Sequence, residues 1–202
     1  MTQATDYVWH EARGADVVAD RAWLAALANV WAQAYRASHV PAQALDPLFG
    51  PERGADRLRY LSNELSLPSA RVVYVTQQGE LVGFFWGLAL ADLEVIAASK
   101  AAHCQPYVKH SPERVAYLSM LGVRAEHAGH GLAKQLVTRL AQAFCEAGAA
   151  QAVARTINET AWRKVYQPLG FVEHERFADP QARNTTRVVF GAPLPLAPSP
   201  ML

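Results

Sequence analysis

Hydrophobic and polar positions change their spacing near residue 70. Before it, apolar residues recur every three or four positions, as they do in amphipathic helices. A short strand over residues 7–9 is predicted first, then a long helix that ends before Pro41 and a second helix that ends near Pro68. The apolar positions of the two helices are Val18, Trp23, Leu24, Leu27, Val30, Trp31 and Tyr35, then Leu58, Tyr60, Leu61, Leu65 and Leu67.

Short apolar runs predict strands in the rest of the chain. An antiparallel hairpin is predicted for RVVYVTQQGELVGFFWGLAL, which is rich in Val, Tyr, Phe and Trp and has a tight turn at residues 77–80. Residues 115–123, VAYLSMLGV, predict another strand, and the next helix begins at Leu132 and ends at Gly148. The remaining predicted elements are a strand over 151–157, a helix over 158–167 and two final strands, FVEHERF and TRVVF.

The segment over residues 91–114, ADLEVIAASKAAHCQPYVKHSPER, has a mixed pattern and two prolines. Connections of this length in a compact domain are often functional, so we predict a loop that borders a binding site. The element order predicts one α/β (α+β) domain over residues 1–192, with a helical elaboration over 18–68. The proline-rich tail over 193–202 is expected to be extended, because proline does not join a strand ladder easily.

Composition narrows the classes of function. About half of the 202 residues are apolar, and 19 Lys and Arg nearly balance 18 Asp and Glu, for a net charge of +1. Such a chain has no general attraction to nucleic acid or to an anionic membrane, and no apolar run approaches the roughly 20 residues that span a bilayer. Cys104 and Cys145 lie far apart, which argues against a disulfide framework. We expect a soluble, cytoplasmic protein with a small partner.

Two glycines stand between a predicted strand and a predicted helix in AEHAGHGLAKQLV, residues 125–137. The first N–H groups of a helix have no internal partner and lie at the positive end of its dipole, so anions collect there. Gly129 and Gly131 would let the backbone approach a phosphate closely. The turn lacks the third glycine of the dinucleotide fingerprint and the spacing of a nucleotide P-loop. An ordinary turn before a core helix is the alternative.

This turn and a second motif resemble the GNAT acetyltransferase superfamily. Val123 and then residues 128–133, AGHGLA, are similar to the family's valine followed by [Q/R]-x-x-G-x-[G/A], with Ala128 where Gln or Arg is usual. Residues 158–171, NETAWRKVYQPLGF, resemble its N-x-x-A-x-x-x-Y-x-x-x-G-F segment. The resemblance covers residues 70 to 190 and matches the first 70 only loosely. It implies a GNAT fold, with a mixed, mostly antiparallel central sheet flanked by helices and splayed between the fourth and fifth strands.

The resemblance implies that acetyl-CoA, as co-substrate, inserts between the fourth and fifth strands. Backbone groups of the fourth strand would pair with the pantetheine arm, and amides of the glycine turn would hold the pyrophosphate. Asn158 would contact the pantetheine side, and Arg163 or Lys164 would lie near the adenosine 3′-phosphate. The implied cofactor-binding residues are Leu121, Gly122, Val123, Ala128, Gly129, His130, Gly131, Leu132, Ala133, Lys134, Asn158 and Arg163.

The resemblance also implies an N-acetyltransferase in which a primary amine attacks the thioester directly. Tyr166 would donate a proton to the departing CoA sulfur, and a backbone N–H of the fourth strand would meet the oxyanion. The general base is open, because Tyr117 stands where histone-type relatives carry a glutamate. Besides Tyr117, the candidates are Glu94, Glu113, Ser119, His103 and His110, acting directly or through water.

A rival function is a non-catalytic acyl-CoA-binding regulatory module, because Ala128 departs from the motif and the fourth strand has no carboxylate. The acceptor would be a small amine, an amino sugar, a peptide end or a lysine side chain. We expect no metal, since His127 and His130 lack further ligands at suitable spacing. Both a monomer and a homodimer are open. The residues expected to shape the acceptor pocket are Lys100, His103, Tyr107, Lys109 and His110.

Overall fold

The computed structural model describes residues 6–37, 54–178 and 185–196, and its centre is a mixed sheet. The strands are β1 (Tyr7–Arg13), β2 (Arg71–Gln77), β3 (Glu80–Ala89), β4 (Val115–Val123), β5 (Gln151–Thr156), β6 (Val172–Ala178) and β7 (Thr186–Pro193). Within the described ranges they follow the order β1-β2-β3-β4-β5-β7-β6 across the sheet. Every neighbouring pair is antiparallel except β4 and β5, which are parallel.

Helices cover both faces of this sheet. The helices are α1 (Gly14–Ala19), α2 (Arg21–Arg36), α3 (Gly54–Leu65), α4 (Leu90–Cys104), α5 (Leu132–Glu146) and the irregular α6, made of an α-helical turn (Glu159–Ala161), a π-helical turn (Trp162–Tyr166) and a 3₁₀ turn (Gln167–Leu169). The apolar side of α5, which includes Leu136 and Leu140, packs on one face. The other face is covered by α2, α3 and α4, and there Trp31 and Trp86 are fully buried.

The parallel strands β4 and β5 separate after a short paired stretch. Residues 115–118 of β4 lie opposite residues 151–154 of β5, whereas β4 itself continues to Val123. Beyond the paired stretch, β4 keeps its pairing with β3 on one edge, and no strand of the described ranges pairs with its other edge. An opening in the sheet therefore begins at Ser119 and Arg155, the first residues of the two strands past their pairing.

A β-bulge in β4 lies at the same place. Leu118 is opposite Gly87 and Met120 is opposite Trp86, so Ser119 has no opposite residue on β3. One extra residue reverses the alternation of side chains along a strand. As a result, Leu118 packs on the α5 side of the sheet, whereas Met120, two residues later, packs on the α2 side.

The predicted loop over residues 91–114 is wrong, because most of this segment forms α4. Ala97 interrupts the helix with a non-helical conformation (φ −152°, ψ 57°), and the apolar side chains of Val95 and Ile96 are exposed. The buried stripe is thus sparse and broken, which hides the helical period. The residues of α4 that are buried are Leu90, Leu93, Ala101 and Cys104.

The predicted long first helix is divided in two at Asp20. This residue follows α1 and caps α2, because its carboxylate accepts hydrogen bonds from the N–H groups of Ala22 (3.0 Å) and Trp23 (3.1 Å). Helical apolar spacing continues across the cap, so the pattern alone did not reveal the break. The other predicted helices and strands are confirmed with shifted boundaries, as are the mostly antiparallel sheet and the splay between the fourth and fifth strands.

We predict that Asp20→Ala lowers the free energy of unfolding by about 1 kcal/mol, because two N–H groups at the start of α2 lose their acceptor. Urea denaturation of the variant and the wild type measures this difference. Asp20→Asn, which keeps a capping oxygen, should lose much less. An Asp20→Ala variant as stable as the wild type would show that the cap does not stabilise α2.

Candidate active site

A cavity of about 610 Å³, called the first cavity below, fills the opening between β4 and β5. Its lining extends from the free edge of β4 through the turn before α5 to the helical segment α6. Most of the residues predicted from the sequence to bind a cofactor are thereby brought together. The predicted site residues that line it are Leu121, Gly122, Val123, Ala128, Gly129, Gly131, Leu132, Ala133, Lys134, Asn158 and Tyr166.

The turn before α5 presents backbone N–H groups to the first cavity. Gly129 and Gly131 both have positive φ, 84° and 75°, and no side chain caps the helix. Gln135 donates the first hydrogen bond of α5, to the carbonyl of Gly131 at 3.2 Å, so the N–H groups of residues 132–134 have no acceptor within the helix. A β-carbon added to Gly129 would meet no described atom within 4 Å. The turn is thus open to a ligand that accepts hydrogen bonds.

A tyrosine on the first strand supports this turn. The Tyr7 hydroxyl lies 3.2 Å from Nδ1 of His127, and the two rings meet edge to face. His130 Nδ1 lies 3.3 Å from the carbonyl oxygen of His127, and the His130 side chain is not among those that line the first cavity. His130 is thus not one of the residues that line this cavity, and its predicted role in cofactor binding stays a prediction.

Asn158 and its neighbours form the opposite wall of the first cavity. The Asn158 side chain accepts a hydrogen bond from the N–H of Ala161 at 3.0 Å and so caps α6. Arg163 does not line the cavity, because its guanidinium pairs with Glu159 at 2.6 Å. The next residue, Lys164, does line it. Of the two basic residues considered from the sequence, Lys164 is the one that faces this space.

Tyr166 reaches the first cavity from the π-helical turn of α6. Its ring packs against Phe171 and Phe190 at centroid distances of 5.5 Å and 4.6 Å. Burial raises the pKa of Tyr166 well above its ordinary value. Its hydroxyl has no hydrogen-bond partner among the residues that the structure describes, so a protonated phenol is held beside the cavity.

Gly122 on β4 is required by packing as well as by its position in the cavity. A β-carbon there would lie 2.7 Å from the ring of Phe84 and 3.4 Å from Cβ of Ala34 on α2. The backbone on this edge of β4 therefore lies close to α2, with no room for a side chain. Sequence reasoning did not include Tyr35, one residue along α2, which also lines the first cavity.

A buried carboxylate behind β4 was also missed by sequence reasoning. Glu64 of α3 is 1% exposed, and its Oε2 accepts hydrogen bonds from Ser119 Oγ at 2.6 Å and Trp86 Nε1 at 2.9 Å. Its Oε1 accepts from the Tyr60 hydroxyl and from Lys100 Nζ, the latter at 3.1 Å. Four donors thus satisfy a charge that would be costly to bury alone.

Opposing effects act on the pKa of Glu64. Burial raises it, whereas the Lys100 ammonium and the hydrogen bonds from Ser119, Tyr60 and Trp86 lower it, and the net shift is downward. Burial also lowers the pKa of Lys100, against the attraction of Glu64. The four hydrogen bonds favour the ionised carboxylate, so Glu64 and Lys100 form an ion pair in which the carboxylate is buried and the ammonium is partly exposed.

A second cavity, of about 430 Å³, lies on the α3 and α4 side of the sheet. Glu64 and Arg155 line it, and Arg155 also lines the first cavity. Since Ser119 lines the first cavity and donates to Glu64, the two cavities adjoin where β4 and β5 separate. Of the residues predicted to shape an acceptor pocket, Lys100 and His103 line the second cavity, and Tyr107, Lys109 and His110 line neither.

The predicted catalytic residues Tyr117 and Glu94 line neither of these cavities. Tyr117 is buried in the apolar cluster under α4, where burial raises its pKa to about 12 and nearby Arg155 acts in the opposite direction. Glu94 lies on α4 and accepts a hydrogen bond from Gln105. Their catalytic roles stay predictions.

In the described ranges, no three His, Cys, Asp or Glu side chains are grouped so that they could hold a metal ion. None of the helices in these ranges combines the length and the apolar character that crossing a membrane requires.

Comparison with known proteins identifies the family that shares this architecture. The sequence model of the acetyltransferase (GNAT) family matches residues 31–171, which is more than half of the chain. No curated protein matches the sequence.

Solved structures similar to this one are also acetyltransferases by name. YncA of Salmonella typhimurium, solved with its cofactor acetyl-CoA, has 14% identity and a TM-score of 0.64, with 97% of this chain and 98% of that chain covered. The ribosomal-protein-S18-alanine N-acetyltransferase of Escherichia coli has 14% identity, a TM-score of 0.60, and 98% and 99% coverage. The ribosomal-protein-alanine N-acetyltransferase of Brucella melitensis has 15% identity, a TM-score of 0.62, and 93% and 99% coverage. At such identities the likeness shows the fold.

We predict that Glu64→Gln lowers the free energy of unfolding by about 2 kcal/mol at pH 7, because four donors lose a charged acceptor and the partly exposed Lys100 loses its counter-ion. The pKa of Glu64 is lowered in the folded protein, so the carboxylate stabilises above its unfolded pKa and that stabilisation is lost as the pH falls through the folded value. The difference between variant and wild type should therefore shrink below about pH 4. Urea denaturation over this pH range measures it.

Glu11→Gln is a matched surface control, because Glu11 pairs with Arg71 at 3.4 Å and both side chains are partly exposed. We expect it to change stability by less than about 1 kcal/mol. Equal stability of Glu64→Gln and the wild type at pH 7 would contradict the stabilising role assigned to the pair of Glu64 and Lys100.

Proposed function

The chain belongs to the acetyltransferase (GNAT) family, and on that premise we propose that it transfers the acetyl group of acetyl-CoA to a primary amine. One observation carries this proposal. A single cavity is lined by the open N–H groups of a glycine turn, the free edge of β4 and the buried Tyr166. In this one cavity the N–H groups can bind an anion, the edge of β4 can pair with an extended ligand, and Tyr166 can donate a proton.

The lining of the first cavity suits CoA in charge and in backbone chemistry. The N–H groups of residues 132–134 lie at the positive end of α5, and Lys134 and Lys164 add positive charge for phosphates. Open space beside Gly129 admits the pyrophosphate. The free edge of β4 at residues 121–123 would pair with the pantetheine arm as with an added strand.

Tyr166 would supply the proton that the leaving group needs. The phenol is protonated at neutral pH, and burial, which raises its pKa, keeps it so. Its hydroxyl can hydrogen-bond the departing sulfur and give up its proton as thiolate charge develops there. Contacts with Phe171 and Phe190 hold the ring, so the hydroxyl has a defined position. Acetyl-CoA brings an activated thioester when bound, and the protein contributes position and the proton.

The amine would attack directly, without a covalent enzyme intermediate. Cys104 and Cys145 line neither cavity, and burial raises the pKa of Cys104 to about 11, with Arg155 opposing that effect. Ser119 lines the first cavity and donates its hydroxyl proton to Glu64. Its oxygen lone pairs therefore remain to accept a hydrogen bond from the incoming amine, which orients the nucleophile.

We predict that Gly129→Ala weakens CoA binding at least about tenfold, because a methyl group would occupy the space beside the exposed N–H groups. Calorimetric titration with CoA measures the affinity. Gly148→Ala is the matched control, since Gly148 follows the other end of α5, also has positive φ (94°) and also has open space around it. Both variants suffer the same backbone strain, and only Gly129→Ala should lose affinity. Equal affinities would place the phosphates elsewhere.

We predict that Tyr166→Phe lowers kcat at least about 100-fold and changes the Kd for acetyl-CoA less than about twofold, because only the proton donor is removed. Release of CoA in the presence of a panel of amines measures kcat, and calorimetry measures Kd. Phenylalanine keeps the ring packing, so stability serves as the internal control. Full activity of the variant would exclude Tyr166 as the donor. Binding of acetyl-CoA without any turnover by the wild type would instead favour a regulatory module.

A further inference from the structure

The second cavity is lined by several cationic side chains. Among the described residues that line it, Lys100, Arg155 and Arg187 are cationic, and Glu64 is the carboxylate. Lys100 Nζ lies 3.1 Å from Glu64 Oε1, so these two form a pair that is neutral as a unit. Arg187 has interactions of its own, which leaves Arg155 as the cation of interest.

Arg155 lies in this lining without a counter-ion. It forms no ion pair with any residue in the described ranges, and its Nε is buried with no hydrogen-bond partner there. Tyr117, a neutral phenol, lies within hydrogen-bonding reach of Arg155 but supplies no negative charge. A cation that is withdrawn from water is costly unless an anion or an acceptor completes it. The free donor of Arg155 thus points to a missing anionic partner.

The cations of the second cavity also repel one another. Burial lowers the pKa of Lys100, Glu64 raises it, and Arg155 and Arg187 lower it further. Like charges in a partly desolvated space repel one another. An anion bound beside Arg155 would offset part of that repulsion.

Arg155 also stands at the boundary of the first cavity. It is the first residue of β5 beyond the pairing with β4, and it lines both cavities. Ser119, proposed above to orient the amine, is the corresponding first residue of β4. A molecule held by Arg155 in the second cavity would therefore lie next to the place where the amine must attack.

We propose that the second cavity is the acceptor site and that the acceptor is a small amine that also carries a carboxylate. This inference rests on the proposed function and names its substrate class. The carboxylate binds the guanidinium of Arg155, with Arg187 on the same wall, and the amine extends toward Ser119. A volume of about 430 Å³ suits a small molecule, and the rings of Tyr60 and Phe177 supply apolar wall for its carbon skeleton.

Matched pairs of acceptors test the carboxylate directly. L-Phenylalanine with phenethylamine, and L-lysine with cadaverine, differ within each pair by the carboxylate alone. Turnover is followed by CoA release, and binding of each compound is followed separately by calorimetry with and without saturating CoA. In the better-bound pair, we expect the carboxylate-bearing member to have a kcat/KM and an affinity at least about tenfold higher.

Arg155→Met tests the residue, because methionine is long and uncharged. We expect it to raise the KM of the carboxylate-bearing acceptor at least about tenfold, remove the preference within the pair, and change the KM of acetyl-CoA less than about twofold. Arg155→Lys should keep part of the preference. Arg71→Met is the control for loss of an arginine from the sheet, because Arg71 lies on β2, lines neither cavity and pairs with Glu11. Circular dichroism confirms that each variant is folded.

The outcomes separate this inference from the proposed function. Arg155-dependent binding of the carboxylate-bearing member without turnover would support the inference and contradict acetyl transfer. Turnover of both members at equal rates, unchanged by Arg155→Met, would overturn the inference and leave acetyl transfer supported. Absence of detectable binding of either carboxylate-bearing compound at millimolar concentration would also overturn it, as would an effect of Arg155→Met confined to acetyl-CoA.

Discussion

The early separation of two parallel strands is the constraint on which the rest of the structure depends. β4 and β5 pair over four positions, and past them each backbone group on the free edge of β4 needs another partner. The bulge at Ser119 lies at that point and reverses the side-chain alternation of β4. Consequently the strand that borders the opening places Leu121 and Val123 on the α5 side and Met120 on the α2 side. The cavity, its backbone edge and its two walls all follow from this local loss of pairing.

An opening in a sheet removes hydrogen bonds, and the Glu64 network connects the elements around it. Ser119 belongs to β4, Trp86 to β3, Tyr60 to α3 and Lys100 to α4, so one carboxylate joins two strands and two helices. An apolar side chain of similar size would be less costly to bury, but it would accept no hydrogen bond from Ser119 and would leave Lys100 unpaired. The network therefore has two effects. It holds together the elements around the opening, and it orients the hydroxyl of Ser119, which lines the first cavity.

Local patterns in the sequence predicted the strands, most helices, the glycine turn and Tyr166, because each depends on residues a few positions apart. Glu64 was missed because three of its four partners, Trp86, Lys100 and Ser119, lie 22 to 55 positions away. One local signal does exist, since Glu64 shares the buried face of α3 with Leu61 and Leu65, where a charge is unusual. Arg155 offers no such signal, because its importance comes from the end of strand pairing. The sequence of α4 predicts a loop instead of a helix, because the helix is interrupted at Ala97 and its apolar positions do not follow one helical period.

The two cavities differ in where their residues come from, and this difference bears on how substrate choice arises. The first cavity is built largely from the two motifs shared with the family, and structures of about 14% identity share the fold around it. The second cavity is built from α3, α4 and the last three strands, outside those motifs. A ligand that leaves a charged side chain of the lining without a counter-charge loses much binding free energy. A ligand that fits an apolar lining poorly loses less. Arg155 lines both cavities, so the side chain proposed to select the acceptor's charge would also hold the acceptor beside the free edge of β4.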